Sequence, residues 1–132
     1  MSIRPAKTSA GVALQAALYT ALATVLTGYD EAPENAAFPY FSLGESVVID
    51  RGNKVSHADE FIETIHIWSR AKGFKETKTN MAAVITKLSG SPLTVTGYVC
   101  KYMDVEQQST FRDPDGLTRH GIVQIRFNLT QK

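Results

Sequence analysis

Large apolar residues recur at Leu14, Leu18, Leu22, Val25 and Leu26. A stripe at that spacing predicts an amphipathic helix from Ala10 to Thr27. Thr8 or Ser9 is placed to cap its start with a side-chain oxygen, and Gly28 to end it. Residues 1–8, with Pro5 and mixed charge, read as an irregular N-terminal arm. The stretch YDEAPENAAFPYF carries three acids, two prolines and an asparagine and reads as a loop. Pro39 biases Phe38 towards an extended backbone, so a strand follows, YFSLGESVVID, with Phe41, Leu43, Val47 and Ile49 expected on one face. RGNKVSHAD is a polar hairpin loop. The next strand, EFIETIHIWSR, carries Phe61, Ile65 and Ile67 on one face and Ile62, His66 and Trp68 on the other. Apolar groups on both faces mark a central strand.

A second helix fits Lys72 to Leu88, with Phe74, Met81, Val84, Ile85 and Leu88 as its stripe and Gly90 as its stop. SPLTVTG is a short strand or the approach to one. YVCKYMDVEQQSTFRD is long and extended, with Tyr98, Cys100 and Tyr102 on one face and Val99, Met103 and Val105 on the other. GIVQIRFNLTQ alternates: Val123, Ile125, Phe127 and Leu129 face one way, and Gln124, Arg126, Asn128 and Thr130 the other. The order is α-β-β-α-β-β, and its hairpins favour antiparallel pairing. Two helices cover only one face of such a sheet. The expected fold is therefore an α+β two-layer sandwich, a mainly antiparallel sheet with two helices on one face. The other face must meet water, a ligand or another subunit.

Composition narrows the function more than the fold. A chain of 132 residues is expected to be a single domain, and 43% hydrophobic residues can fill one core. With 14 basic residues against 13 acidic, the net charge of +1 argues against holding nucleic acid by bulk electrostatics and against a polybasic membrane surface. No apolar run is long enough to span a bilayer. The basic start followed by an apolar stretch has the outline of a signal peptide, but Gln15, Tyr19, Thr20 and Thr24 interrupt it at spacings that suit a helix with one polar face. The single cysteine, Cys100, precludes an internal disulfide and suits folding in a reducing cytoplasm.

The densest chemistry lies in TFRDPDGLTRHG, from Thr110 to Gly121. Asp113-Pro114-Asp115-Gly116 fits a type I turn position by position. A calcium loop would need alternate oxygen ligands and a distal glutamate, and only Asp113 and Asp115 fit. His57, His66 and His120 lack a second histidine or cysteine at ligand spacing, so no metal site is expected. His57 falls in a polar loop and is expected to be solvated, while His66 reads as a hydrogen-bonded core or interface histidine. Cys100 reads as a buried thiol rather than a nucleophile. There is no phosphate-binding glycine loop. No catalytic residue and no cofactor follow from these motifs.

HIWSRAKGFKETKTNMAAVITKL (His66 to Leu88) and TFRDPDGLTRHGIVQIRF (Thr110 to Phe127) resemble signature stretches of a tailed-phage family described as tail completion, tail terminator or tail-to-head joining proteins. ALQAALYTAL and FPYFSLGE are similar to the family's opening, and the similarity runs in order along nearly the whole chain. The resemblance implies a structural virion protein, not an enzyme: a small α+β subunit of a six-membered ring at the head-proximal end of the tail tube. Such a ring stops tube polymerisation and joins the tail to the head connector. The implied partners are further copies of the chain, the major tail tube protein and the head–tail connector or stopper protein. DNA only passes through the lumen, and no membrane is involved. The implied location is the neck region of the virion tail, after assembly in the bacterial cytoplasm, in a phage, prophage or gene transfer agent. Arg112, Asp113, Asp115, Arg119, His120, Trp68, Arg70 and Arg126 are the candidate subunit-interface residues, with Arg112 or Arg119, or both, expected to pair with a neighbour's carboxylates. A head-side connector or a small ligand-binding α+β domain are the alternatives.

Overall fold

The computed structural model describes residues 4–132; of the predicted arm, residues 1–3 lie outside it. The elements are α1 (Gly11–Leu22), β1 (Gly28–Tyr29), β2 (Tyr40–Asp50), β3 (Ala58–Ser69), α2 (Lys75–Ser89), β4 (Tyr98–Arg112) and β5 (Arg119–Gln131). They form one sheet in the order β1-β2-β3-β5-β4. β1 runs parallel to β2, and every other pairing is antiparallel. This is the α+β arrangement that the hydrophobic pattern predicts, with a two-residue strand added at one edge.

Both helices lie on one side of the sheet. Leu14, Leu18 and Leu22 of α1 and Met81, Val84 and Leu88 of α2 pack against Phe41, Phe61, Ile65, Ile67 and the alternating row Val123, Ile125, Phe127 and Leu129. The row is buried because its period of two matches the pleat, and β5 lies between β3 and β4. Among the described residues, no helix covers the opposite face.

The element ends depart from the predicted ones for local reasons. α1 begins after Ala10 without a side-chain cap. It ends at Leu22 rather than Gly28, because the Thr24 hydroxyl donates to Ala21 O at 2.7 Å and the following amides of Val25 and Leu26 both turn back to Leu22 O. α2 starts three residues later than predicted, since Gly73 takes a left-handed φ of 77° that breaks the helical path. Its end at Gly90 is as predicted.

Gly28 serves a different purpose from a helix stop. A Cβ there would lie 1.9 Å from Cζ of Phe41, whose ring is fully buried. Gly28→Ala is expected to destabilise the fold by about 1–3 kcal/mol through overpacking. Urea unfolding measures it, and a change below about 0.5 kcal/mol would mean that the ring moves aside freely.

Two strands switch faces part-way. β2 is bulged between Leu43 and Ser46, so Phe41 and Leu43 face the helices while Val47, opposite Ile62, faces the open side and is 54% exposed. The single face expected for Phe41, Leu43, Val47 and Ile49 is thus split by one irregularity. β4 is irregular between Cys100 and Tyr102 and again between Val105 and Gln107. Tyr98, Cys100 and Met103 therefore pack towards the helices, and Tyr102 joins Val99 on the open side.

The arm from residue 4 has no regular structure but is tied down. Lys7 Nζ donates to Asp50 and Asp59 at 2.9 and 2.8 Å, and Gln131 exchanges hydrogen bonds with Thr8 N–H and Ala6 O. His57 lies 2.7 Å from the carbonyl of Pro5, so its Nε2 carries the proton and donates. His57 is 7% exposed, which corrects the expectation of a solvated loop histidine.

Candidate assembly interface on the open sheet face

The loop from Asp113 to Thr118 is a turn between β4 and β5. Gly116 N–H donates to Asp113 O at 3.0 Å, and Asp113 N–H to Thr118 O at 2.9 Å. The Asp115 carboxylate accepts the amides of Leu117 and Thr118 at 2.8 Å each and the Thr118 hydroxyl at 2.6 Å. Those donors stabilise the charged form and hold its carboxyl down at about 2. Asp115 therefore organises the turn, and Asp113 points elsewhere.

Strand register builds the surface beside this turn. Tyr40 of β2 pairs with Trp68 of β3, Trp68 with His120 of β5, and His120 with Phe111 of β4. Paired residues share a face, so four rings line up across four strands. Their centroid separations are 6.3, 3.8 and 4.7 Å along the row. The Trp68 indole N–H donates to Ser42 Oγ at 3.0 Å. Arg70 stacks its guanidinium on Phe38, 4.4 Å from the ring centroid, and reaches Thr118 Oγ1 at 3.3 Å.

His66 stands beside the row, its Nδ1 2.7 Å from Nε2 of His120. The outer nitrogens face carboxylates: His66 Nε2 lies 3.3 Å from Glu45, and His120 Nδ1 lies 3.5 Å from Asp113. Burial pushes the His120 imidazole below its ordinary pKa and the charge of His66 adds to this, while Asp113 and, more weakly, Glu45 oppose it. The β2 irregularity makes the arrangement possible. It falls at Gly44 and Glu45, and a Cβ on Gly44 would lie 2.4 Å from His66 Nε2. The Glu45 carboxyl is held below its usual range, first by its own backbone N–H and then by His66.

The other end of the same face is ionic. Glu60, 7% exposed, accepts from Arg51 at 3.0 Å and forms an ion pair with Arg126, whose Nε lies 3.1 Å away, and Arg126 also binds Glu106.

Trp68 and Arg70, more than forty positions before Asp113 and Asp115, line with them one shallow recess of about 420 Å3 that Glu34, Phe38 and Tyr40 complete, and His120 adjoins it. Arg126 lies at the far, ionic end. Arg112 is exposed at the strand end. Arg119 is 8% exposed on the helix side, with Nη1 donating to Leu117 O at 2.8 Å and its guanidinium over Phe74. The two arginines flanking the turn therefore differ in availability, a distinction that spacing does not carry. Phe111 at the end of β4 and Leu117 in the turn, 41% and 63% exposed, are exposed apolar side chains that residue spacing does not single out. Glu45 was missed as well, although the isolated glycine before it, inside a strand pattern, is a bulge signal.

Among the described residues, no three His, Cys, Asp or Glu side chains gather as a metal site. Burial pushes the Cys100 thiol up, the reverse of what an activated nucleophile needs. This end of the open face offers an aromatic row that is buried at Tyr40 and His120 and exposed at Phe111, with charged side chains around it.

The sequence profile of the family described as "Tail completion protein gp17" matches residues 12–129. The chain thus belongs to that tail completion family, a class of phage tail structural proteins. It is 23% identical over 112 residues to "Tail completion protein gp17" of Bacillus phage SPP1, a match covering 84% of this chain and 83% of that one. Its fold recurs among solved structures. A chain in the "Virion of native gene transfer agent (GTA) particle" superposes with a TM-score of 0.83 at 24% identity, covering 94% of this chain and 99% of that chain. The "Structure of bacteriophage SPP1 gp17 protein" gives 0.55 at 23% identity, covering 96% and 95%.

Proposed function

We propose that this chain forms a six-membered ring at the head-proximal end of a phage-type tail tube, where it stops tube growth and joins the tail to the head connector in the neck of the virion. The observation that carries this reading is the aromatic row ending in the exposed corner of Phe111 and Leu117 on a sheet face that no helix covers. A cyclic ring needs two different faces on each subunit, one for each neighbour. The corner supplies one and the helix layer stands opposite it. Family membership supplies the setting. The near-neutral net charge suits a lumen through which DNA passes without being gripped. Assembly takes place in the bacterial cytoplasm, and the chain acts without chemistry of its own.

The test is to add the purified chain to preformed tail tubes and image the tube ends. Six copies in a discrete ring at one end support the reading; binding along the whole tube, or equally at both ends, overturns it.

Arg112 is the exposed arginine of the pair flanking the turn, and we assign it to a carboxylate on the neighbouring subunit. An exposed pair contributes about 0–1 kcal/mol. Arg112→Ala is accordingly expected to slow joining less than about fivefold while leaving thermal unfolding unchanged. Joining kinetics measured at low and high salt check this, and a parent whose rate is indifferent to salt would contradict the pairing.

A further inference from the structure

We propose that the His66–His120 pair is a proton latch on the contact corner: one shared proton holds the corner closed, and a second proton opens it and weakens the subunit contact in acid. This rests on the reading of the corner as a subunit interface.

The geometry sets the two states. Two nitrogens 2.7 Å apart can share only one proton, one ring donating and the other accepting. When both rings are imidazolium, both facing nitrogens carry hydrogens, the bond is lost and two like charges stand with ring centroids 4.9 Å apart. The pair bridges β3 and β5, and His120 continues through Asp113 into the turn. Separating the rings therefore acts on Trp68, which stacks on His120, on Phe111, whose ring packs tilted against it, and on the turn that carries Leu117.

The charged groups around the pair are Glu45 from β2, Asp113 from the turn and Arg70 from the end of β3. The two carboxylates stand at the outer nitrogens and can accept an N–H from each ring once one extra proton is on the pair. The second is opposed by burial and by the first. His120 therefore binds fewer protons folded than unfolded. His120's contribution to stability is fully present above the ordinary histidine range and is lost as pH falls below about 6.5 towards the lower folded value.

Trp68 is the chain's one tryptophan and lies 3.8 Å from His120, so its emission reports the latch directly. The experiment titrates the emission of the full chain from about pH 8 to about pH 5, with far-UV circular dichroism on the same samples and oligomeric state read by light scattering. The proposal expects a reversible change in emission with a midpoint below about 6.5, at constant circular dichroism, that disappears in His120→Gln and persists in His57→Gln. It also expects assemblies formed at neutral pH to dissociate across the same range in the parent and not in His120→Gln. An emission that stays flat while the chain remains folded, or a transition that survives His120→Gln, overturns the latch. If His120→Gln does not fold, His66→Gln makes the same comparison. The emission is read on the single chain, so the two ideas fail separately: a flat emission with rings present removes the latch alone. A titrating emission in a chain that assembles neither alone nor on tube ends removes the interface reading, and with it the latch's effect on contact.

Discussion

Phe127→Ala is expected to lower the folding free energy by about 3–5 kcal/mol. Phe127 is fully buried, sits opposite Phe61 on β3 and Met103 on β4, and faces the helices from the strand that the two longest neighbours enclose. Removing the ring leaves a cavity whose walls come from two rigid strands, so collapse is limited. A domain of this size has about 5–15 kcal/mol in total, so the variant is left with a fraction of its margin. Equilibrium denaturation measures the change; a loss under about 1 kcal/mol would mean that the core between β3, β5 and β4 is not packed as described. The conservative Phe127→Leu is expected to lose much less, because most of the volume is kept.

Phe111→Asp is expected to leave the fold intact and to weaken head–tail joining by about 30-fold or more, the equivalent of a contact hot spot of about 2 kcal/mol. Phe111 is 41% exposed, lies on the edge strand and touches His120 from the outside of the aromatic row. Its replacement removes little from the monomer's core but places a carboxylate at the exposed outer end of the aromatic row, where a partner would have to desolvate it. Thermal unfolding of the purified variant and the yield of joined particles are measured together. A variant that unfolds near the parent temperature and joins normally would remove the corner from the interface.

The two layers of the fold were legible because burial writes itself into period. Leu14, Leu18 and Leu22 repeat on one helix face, and Val123 to Leu129 alternates without a break, so both elements read correctly in isolation. The face assignments of β2 and β4 were not legible in the same way. A bulge moves every later side chain to the opposite face, and its only trace in β2 is Gly44. That one irregularity brings Glu45 to His66 and turns Val47 outward. The candidate site shows the same division. The turn at Asp113 could be read from residue types alone, since Asp, Pro and Gly each meet a backbone requirement there. The row of Tyr40, Trp68, His120 and Phe111 depends on register between four strands, and no local pattern encodes that. Arg112 and Arg119 look alike in sequence and differ in burial because only Arg119 lies over Phe74.

The most direct measurement is electron microscopy of particles produced with this gene deleted. Filled heads beside unattached tails of irregular or excessive length are expected, with joining restored by the intact chain. Normal joined particles of uniform tail length would contradict the proposed function.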